Sequence, residues 1–475
     1  MKNINKKKIS NYLLSFILIF FCLYLALPSC LFAEVLDYKQ EAENRKYLPI
    51  QSNDWVNWPS GPAVSAQSAV LMDAATGAVL YAKNIHEKMY PASTTKILSS
   101  LLLAENCSLD EIVDFSKEAV YSVPYDGSNM GMDAGEKITV EQCLYGMLVE
   151  SANEVSNAAG EHVSGSMSAF AELMNKRARE LGCVNSNFVN ANGLFDENHY
   201  TTALDLALIA REFFQNPLLC QISSTPTYNF YATDTQPDTF TIRSKNHFLN
   251  GKKPYEYLVG SKTGFTSQSR QTLVSCAQKN GMKLICVVFK EESPDQFTDT
   301  IQLFDYGFNS FTLHSIPMEE TRFPNEDALS VISSNPMSQI ILPNTASFSD
   351  ASPSFSTIEQ NGSIISQIAY TYNGIPVGTI VTEKTPLDTG INLMPASETE
   401  QSLDNLEAEQ GQPSSPKSSV QSKLFYFFIL TLLVMVTGVF IFVRHCILIK
   451  RQRDALMMRS KIRKERLKRL KKLGL

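Results

Sequence analysis

Ser93 and Lys96 stand three residues apart at the head of a run, Ser93 to Leu103, whose apolar residues recur at helical spacing. On a helix that step places a hydroxyl and an amine on neighbouring positions of one face. A serine is a weak nucleophile until a base takes its proton, and a lysine can be that base only if burial or nearby cations lower its pKa. The helix N-terminus adds free N–H groups and positive potential where an oxyanion would form. Alone, Ser-x-x-Lys carries little weight, because serine caps helices and lysine decorates them everywhere.

Two further clusters change that weight. Glu150-Ser151-Ala152-Asn153-Glu154 lies in an otherwise apolar helical stretch, Val140 to His162, where Ser and Asn are poorly placed without polar partners. Ser151 could relay a proton between Lys96 or Lys262 and a leaving amine, and Asn153 could hold Lys96 and a substrate carbonyl. A loop interrupting the helices is the plainer reading of a lone Ser-x-Asn. Ser261-Lys262-Thr263-Gly264-Phe265-Thr266 sits in a strand-like run. There Gly264 leaves room for a substrate backbone along the strand edge, while Lys262 and Thr263 offer a cation and a hydroxyl to a carboxylate. The three clusters in this order, the first on a helix and the last on a strand, resemble the motif set of penicillin-binding proteins and class A β-lactamases.

The elements that must position them read as follows. Ser68 to Met72 and Ala78 to Ala82 are short strands joined by the turn-rich Asp73 to Gly77, an opening hairpin. Helical periodicity covers Ser93 to Leu103, Val140 to His162, Met167 to Leu181 and Ala203 to Phe214. Strands return at Tyr257 to Phe265, Gln271 to Ala277 and Lys283 to Phe289, and Gln296 to Phe308 is helical. Strands at both ends with helices between predict an α+β domain over residues 63–310, its terminal segments closing one antiparallel sheet against a helical cluster. Ile340 to Leu342 and Ser363 to Tyr372 are strand-like, and Asn373-Gly374 is a two-residue hairpin signal. A small β-rich domain is expected over residues 311–390, and the Ser-, Glu-, Gln- and Pro-rich residues 391–423 form a flexible linker.

The two ends carry membrane signals. Lys2, Lys6, Lys7 and Lys8 precede the apolar run Tyr12 to Leu27, and Ala33 supplies a small cleavage-site residue, so residues 1–33 read as a signal peptide. Residues 424–443 are uncharged and long enough to span a bilayer, giving a single C-terminal transmembrane helix. Residues 444–475 hold 13 Lys or Arg against Asp454 and Glu465, which the positive-inside rule keeps in the cytoplasm. Removing that tail's +11 and the four N-terminal lysines from the overall −6 leaves residues 9–443 at −21, a balance that argues against nucleic acid as a partner. Of nine cysteines, Cys107, Cys143, Cys183, Cys220, Cys276 and Cys286 lie in the body, scattered without metal-ligand spacing and often on apolar faces, so small buried hydrophobes are the favoured reading. The six histidines form no ligand pair, and no Gly-x-Ser-x-Gly elbow occurs.

On these residues the chain resembles the D-alanyl-D-alanine carboxypeptidases among the low-molecular-weight penicillin-binding proteins. The likeness extends to Ala69 to Asp73 with Thr76-Gly77, Gly135-Glu136, Leu144 to Leu148, Phe188 to Asn190 with Gly193-Leu194, His199 to Ala203 and Tyr306 to Phe308. It implies a DD-peptidase/β-lactamase-like fold, a serine acyl-enzyme, no metal and no cofactor, and covalent inhibition by β-lactams. By position it implies Ser93 as nucleophile, Lys96 as base and Ser151 as proton relay. Asn153, Lys262, Thr263, Gly264 and Phe265 would bind substrate, with the N–H groups of Ser93 and Phe265 holding the oxyanion. The expected substrates are peptidoglycan stem peptides ending in D-Ala-D-Ala, trimmed outside the membrane to limit cross-linking. A β-lactamase or DD-endopeptidase on the same fold, and a catalytically inert tethered scaffold, are the alternatives.

Two departures from the family pattern stand out. Ala152 and Glu154 differ from the usual second motif and are expected to alter packing more than chemistry. Pro294-Asp295-Gln296 lacks the arginine that some relatives use for the substrate carboxylate. Arg270 is the expected substitute, since a tight hairpin after Lys262 would bring it onto the next strand; a surface arginine is the alternative.

Overall fold

The opening hairpin closes on Asp73, whose Oδ1 accepts both the backbone N–H (2.8 Å) and the hydroxyl (2.7 Å) of Thr76. The computed structural model describes residues 37–124, 126–317, 322, 331–332, 338–360 and 363–384. In chain order, α1 (Tyr38–Arg45) precedes β1 (Ser68–Asp73) and β2 (Val79–Lys83). Next come α2 (Lys96–Asn106), β3 (Ile112–Asp114), α3 (Lys117–Tyr121) and β4 (Lys137–Thr139). They are followed by α4 (Val140–Tyr145), α5 (Asn153–Ser164), α6 (Met167–Glu180), α7 (Ala203–Phe213) and α8 (Pro217–Ser223). The ribbon of β5 (Thr227–Phe230) and β6 (Phe240–Arg243) leads to β7 (Leu258–Thr266), β8 (Arg270–Lys279), β9 (Met282–Glu291) and α9 (Asp295–Ser310).

The central sheet runs β2-β1-β9-β8-β7 with every pair antiparallel, so the first strand closes against the last, Leu71 opposite Cys286. This is the α+β arrangement expected from the segregation of strands and helices. The period of two divides the buried strands between two layers. Val70, Met72, Val274, Ile285 and Val287 face the helical cluster, and Ala69, Leu71, Leu273, Cys286 and Val288 face Trp58, Phe297, Leu303 and Phe304. Helix starts are set by capping side chains: Thr139 and Gln142 form a reciprocal box for α4, Ser166 caps α6, and Thr202 caps α7.

One predicted element is divided. The stretch Val140 to His162 is not a single helix: α4 ends at Tyr145, a wide π turn spans Gly146–Glu150, and Ser151 takes a left-handed φ of 66° before α5 begins. The apolar periodicity runs through this break, which is why periodicity alone does not reveal it.

Beyond Ser310, β10 (Phe311–Ser315) pairs with β11 (Gln339–Pro343), and β12 (Ser352–Gln360), β13 (Ser363–Tyr372) and β14 (Ile375–Lys384) form a meander. Asn373 and Gly374, at φ of 50° and 82°, turn β13 into β14 as the Asn-Gly signal requires. The strand β12 is too polar to have been read from pattern. Trp58 packs on Phe311 at 5.2 Å between ring centroids, and Asn373 Nδ2 donates to Val56 O at 3.0 Å, tying these strands to the segment before β1. The signal-peptide, linker, transmembrane and basic-tail assignments (residues 1–33, 391–423, 424–443 and 444–475) lie outside the described residues. Among the described residues no helix is long and apolar enough to cross a membrane.

Candidate active site

Three hydroxyls shape the turn that presents Ser93. Thr94 Oγ1 and Thr272 Oγ1 donate to Pro91 O at 2.6 and 3.0 Å, and Thr95 Oγ1 donates to Ala92 O at 2.8 Å. They hold Ala92 at a left-handed φ of 49°, a conformation that a non-glycine residue keeps only when its surroundings enforce it. Ser93 follows in a 3-10 turn, Ala92–Thr95, that runs into α2. Two glycines let neighbouring backbone approach. A Cβ on Gly193 would stand 1.8 Å from Ala92 O, and one on Gly264 would stand 2.4 Å from Thr272 Oγ1 and 2.9 Å from the Ser93 nitrogen. The β7 edge therefore passes directly beside the Ser93 amide.

Lys96, one turn on, is fully buried beneath Ser93. Its Nζ lies 3.1 Å from Ser93 Oγ, 2.7 Å from Asn153 Oδ1 and 2.6 Å from Asn192 O. Two of these partners can only accept, and the third is a hydroxyl able to donate, which suits a neutral amine with one lone pair free. Burial holds the Lys96 pKa well below the usual ammonium range, and the charge of Lys262 lowers it further, against a smaller opposing effect of Glu154.

The left-handed Ser151 aims its hydroxyl at the third cluster, where Lys262 Nζ lies 2.9 Å from Ser151 Oγ and donates to Thr263 O at 2.9 Å. Burial brings Lys262 down to about 7, helped by the charge of Lys245 and resisted by Glu150. Lys245 is itself paired with Glu150 at 3.0 Å. Ser93, Ser151, Asn153, Lys262, Thr263, Gly264 and Phe265 thus converge on one cleft of about 650 Å³. Phe265, 52% exposed, forms an apolar rim.

Arg270 is the exception and corrects the expectation made for it. It lies on β8 next to the third motif, but it does not line the cleft. Its Nε and Nη2 donate to the two carboxylate oxygens of Glu292 at 2.8 and 2.6 Å, and its guanidinium stacks on Tyr38 of α1 at 3.8 Å. A bidentate partner and an aromatic face leave it engaged away from a substrate carboxylate. The corresponding part of the cleft is lined by the neutral amides Gln271 and Gln296, 3.3 Å apart, with Gln296 Oε1 buried and without a hydrogen-bond partner among the described residues.

Several supporting groups complete the site, Asn192 and Asn157 among them with no motif to announce them. Asn192 supplies the carbonyl to Lys96, and its side chain donates to Asn157 Oδ1 at 2.8 Å; Asn157 in turn donates to Ala119 O at 3.1 Å. Glu154, buried, accepts the N–H groups of Met130 and Gly131 at 2.7 and 3.0 Å, and Asn153 N donates to Ser128 O at 2.9 Å. The unusual Glu154 thus pins the loop whose Gly127 and Ser128 line the cleft. His199, held at about 4 by burial, is a neutral packing and bonding group: Val189 N–H donates to Nδ1 at 3.1 Å, so Nε2–H is left to donate to Thr95 Oγ1 at 2.8 Å.

Residues 56–293 match the family described as Peptidase_S11, D-alanyl-D-alanine carboxypeptidase. The chain is 34% identical over 257 residues to the D-alanyl-D-alanine carboxypeptidase DacF of Bacillus subtilis, covering 54% of this chain and 65% of the relative. It is 30% identical over 260 residues to DacC of Escherichia coli, covering 53% and 63%. The aligned part therefore spans just under two thirds of these relatives' length. Among solved structures, the Streptomyces K15 DD-transpeptidase superposes with a TM-score of 0.50 at 27% identity, covering 53% of this chain and all of that one. Penicillin-binding protein 6B of Escherichia coli gives 0.54 at 22% identity, covering 69% and 98%, a likeness of fold.

Proposed function

The chain belongs to the peptidase S11 family of D-alanyl-D-alanine carboxypeptidases, and on that premise we propose that it removes the terminal D-alanine from peptidoglycan stem peptides through an acyl-enzyme on Ser93. The observation that supports this most is the pair of short contacts made by two buried lysines, Lys96 to Ser93 and Lys262 to Ser151, at one cleft.

In this reading neutral Lys96 accepts the Ser93 proton as Oγ attacks the carbonyl of the penultimate D-alanine. The tetrahedral oxyanion is held by the Ser93 and Phe265 N–H groups. Collapse breaks the peptide bond while a proton passes to the departing amine through Ser151 and Lys262. Water then hydrolyses the ester, with its proton taken by Lys96 and returned to Ser93. Asn153 orients Lys96 and the substrate, and Gly264 lets the peptide lie against β7. The substrate carboxylate meets Lys262 and Thr263, with Gln271 and Gln296 beside them in place of an arginine.

β-Lactams, which present an acyl group to the same serine, should label it and leave slowly. Of the two glutamates of the second motif, Glu150 is paired with Lys245, and buried Glu154, whose Oε1 accepts two backbone N–H groups, is not among the residues that line the cleft, so neither is placed to activate a deacylating water. That favours a peptidase over a β-lactamase. Incubating the full-length chain with an acyl-D-Ala-D-Ala peptide and with a penicillin tests this: D-alanine release with a long-lived penicilloyl adduct is expected. Fast penicillin turnover without D-alanine release would reverse the assignment.

The catalytic unit of residues 63–310, carrying the strands of 311–390, stands outside the membrane on the linker 391–423. Residues 424–443 span the bilayer after export by residues 1–33, and the basic tail lies inside. The uncharged length of 424–443 followed by 13 basic residues motivates this topology. Protease added to intact cells should remove the catalytic unit and spare the tail; digestion of the tail instead would overturn it.

A further inference from the structure

The helices α2 and α5 begin at Lys96, buried beneath Ser93, and at Asn153, in the cleft, and run to a second side-chain cluster at their far ends. Cys107 follows the last residue of α2, and His162 lies in the last turn of α5. Glu111 comes from the loop before β3. Its Oε1 accepts the Ser108 N–H at 2.5 Å, and its Oε2 lies 3.1 Å from His162 Nε2. One donor atom from each of Cys107, Glu111 and His162 lies within 4.8 Å of the others.

An ion pair would account for Glu111 and His162 but not for the thiol beside them. A carboxylate opposes formation of a thiolate, whereas a divalent cation among the three reverses that balance. Thiolate, imidazole and carboxylate together are the donors of zinc and not of magnesium or calcium, which take oxygen ligands. A tetrahedral ion with bonds of roughly 2.0–2.3 Å holds its donors about 3.3–3.7 Å apart; the Glu111 and His162 donors stand at 3.1 Å and the thiol within 4.8 Å of both, so side-chain rotations that move donors by about an ångström suffice. The Ser108 N–H already fixes the orientation of the carboxylate. Cys107 is half-buried, and the His162 and Glu111 side chains are 23% and 43% exposed, which leaves a fourth position open to water.

We propose that Cys107, Glu111 and His162 bind a zinc-class divalent cation that clamps the outer ends of α2 and α5. On binding, the Cys107 S–H bond breaks and its proton goes to solvent, while sulfur, nitrogen and oxygen each donate an electron pair to the ion. The site touches no group of the cleft, so its effect is to stabilise the two helices that carry Lys96 and Asn153, raising the melting temperature when metal is added.

Titrating the reduced full-length chain with Co²⁺, as a coloured stand-in for Zn²⁺, tests the proposal. The expected result is a near-ultraviolet thiolate-to-cobalt band that Zn²⁺ abolishes, together with a rise in Tm on adding Zn²⁺. Cys107→Ala and His162→Ala should lose the band and weaken zinc binding by more than about tenfold. Cys220→Ala, which removes another half-buried thiol, should keep it. Penicillin labelling serves as the fold check and should persist in every variant. No band in wild type that still takes the penicillin label, or a band unchanged in Cys107→Ala, overturns the metal site while leaving the peptidase reading intact.

Discussion

Lys96 Nζ lies 2.7 Å from Asn153 Oδ1, so a buried bond joins the first motif to the second across 57 residues of sequence. The same nitrogen reaches Ser93 at 3.1 Å, which makes Asn153 the group that holds the base in place. Replacing Lys96 with Met keeps the volume and removes the base. Penicillin acylation of Lys96→Met should fall by roughly 10²–10⁴-fold in stopped-flow or gel assays, while Tm stays level or rises. A rate within about threefold of wild type would remove Lys96 from the role of base.

Lys262 gives a pH signature. Its pKa in the folded chain is about 7, below the 10.5 of an unperturbed lysine, because burial disfavours the charged form. Between those two values the unfolded chain binds more protons than the folded one, so stability from this group rises with pH across that window, and the cost of burying the cation is fullest below it. Lys262→Met should therefore raise Tm more at pH 6 than at pH 9, measured against wild type. Equal shifts at the two pH values would mean that Lys262 is not held neutral by its burial.

Gly193 is predicted to tolerate no side chain. Its φ is 83° and an added Cβ would meet Ala92 O at 1.8 Å, displacing the turn that presents Ser93. Gly193→Ala should destabilise the chain by about 2 kcal/mol or more and slow acylation beyond what the stability loss explains. Urea melts and acylation rates of the folded fraction would check both; unchanged acylation would show that the turn does not depend on this contact.

Arg270 should be structural. Arg270→Ala is expected to leave KM for a D-Ala-D-Ala peptide within about twofold and to lower stability by roughly 1–3 kcal/mol, because Glu292, 13% exposed, loses its bidentate partner. Adding Glu292→Ala should restore part of that stability. A large rise in KM for the single variant would return Arg270 to the substrate carboxylate.

The residues that carry the proposed chemistry were legible because each belongs to a short local pattern: Ser93 with Lys96, Ser151 with Asn153, Lys262 with Thr263 and Gly264. The central sheet was legible for the same kind of reason, since β1, β8 and β9 carry compact apolar runs, Ala69 to Met72, Leu273-Val274 with Cys276-Ala277, and Leu284 to Phe289. What sequence could not supply is direction. Arg270 sits at the predicted distance from Lys262, but which way a strand residue points, and that Glu292 and Tyr38 wait on that side, depends on the register of β8 with β9 and on the docking of α1. The break at Ser151 leaves the apolar periodicity intact and shows only in the polar Ser-x-Asn that also admits an interrupting loop, and Asn192, Asn157 and His199 act largely through contacts between residues far apart in sequence, which leave no spacing to read. The cluster of Cys107, Glu111 and His162 has no metal spacing either, because two helices bring it together.

The central claim, that Ser93 is the nucleophile of this cleft, is tested most directly by mass spectrometry of the full-length chain after exposure to a penicillin. The account predicts one penicilloyl adduct, located on the peptide containing Ser93 and absent from Ser93→Ala. An adduct on any other residue, or equal labelling of Ser93→Ala, would contradict it.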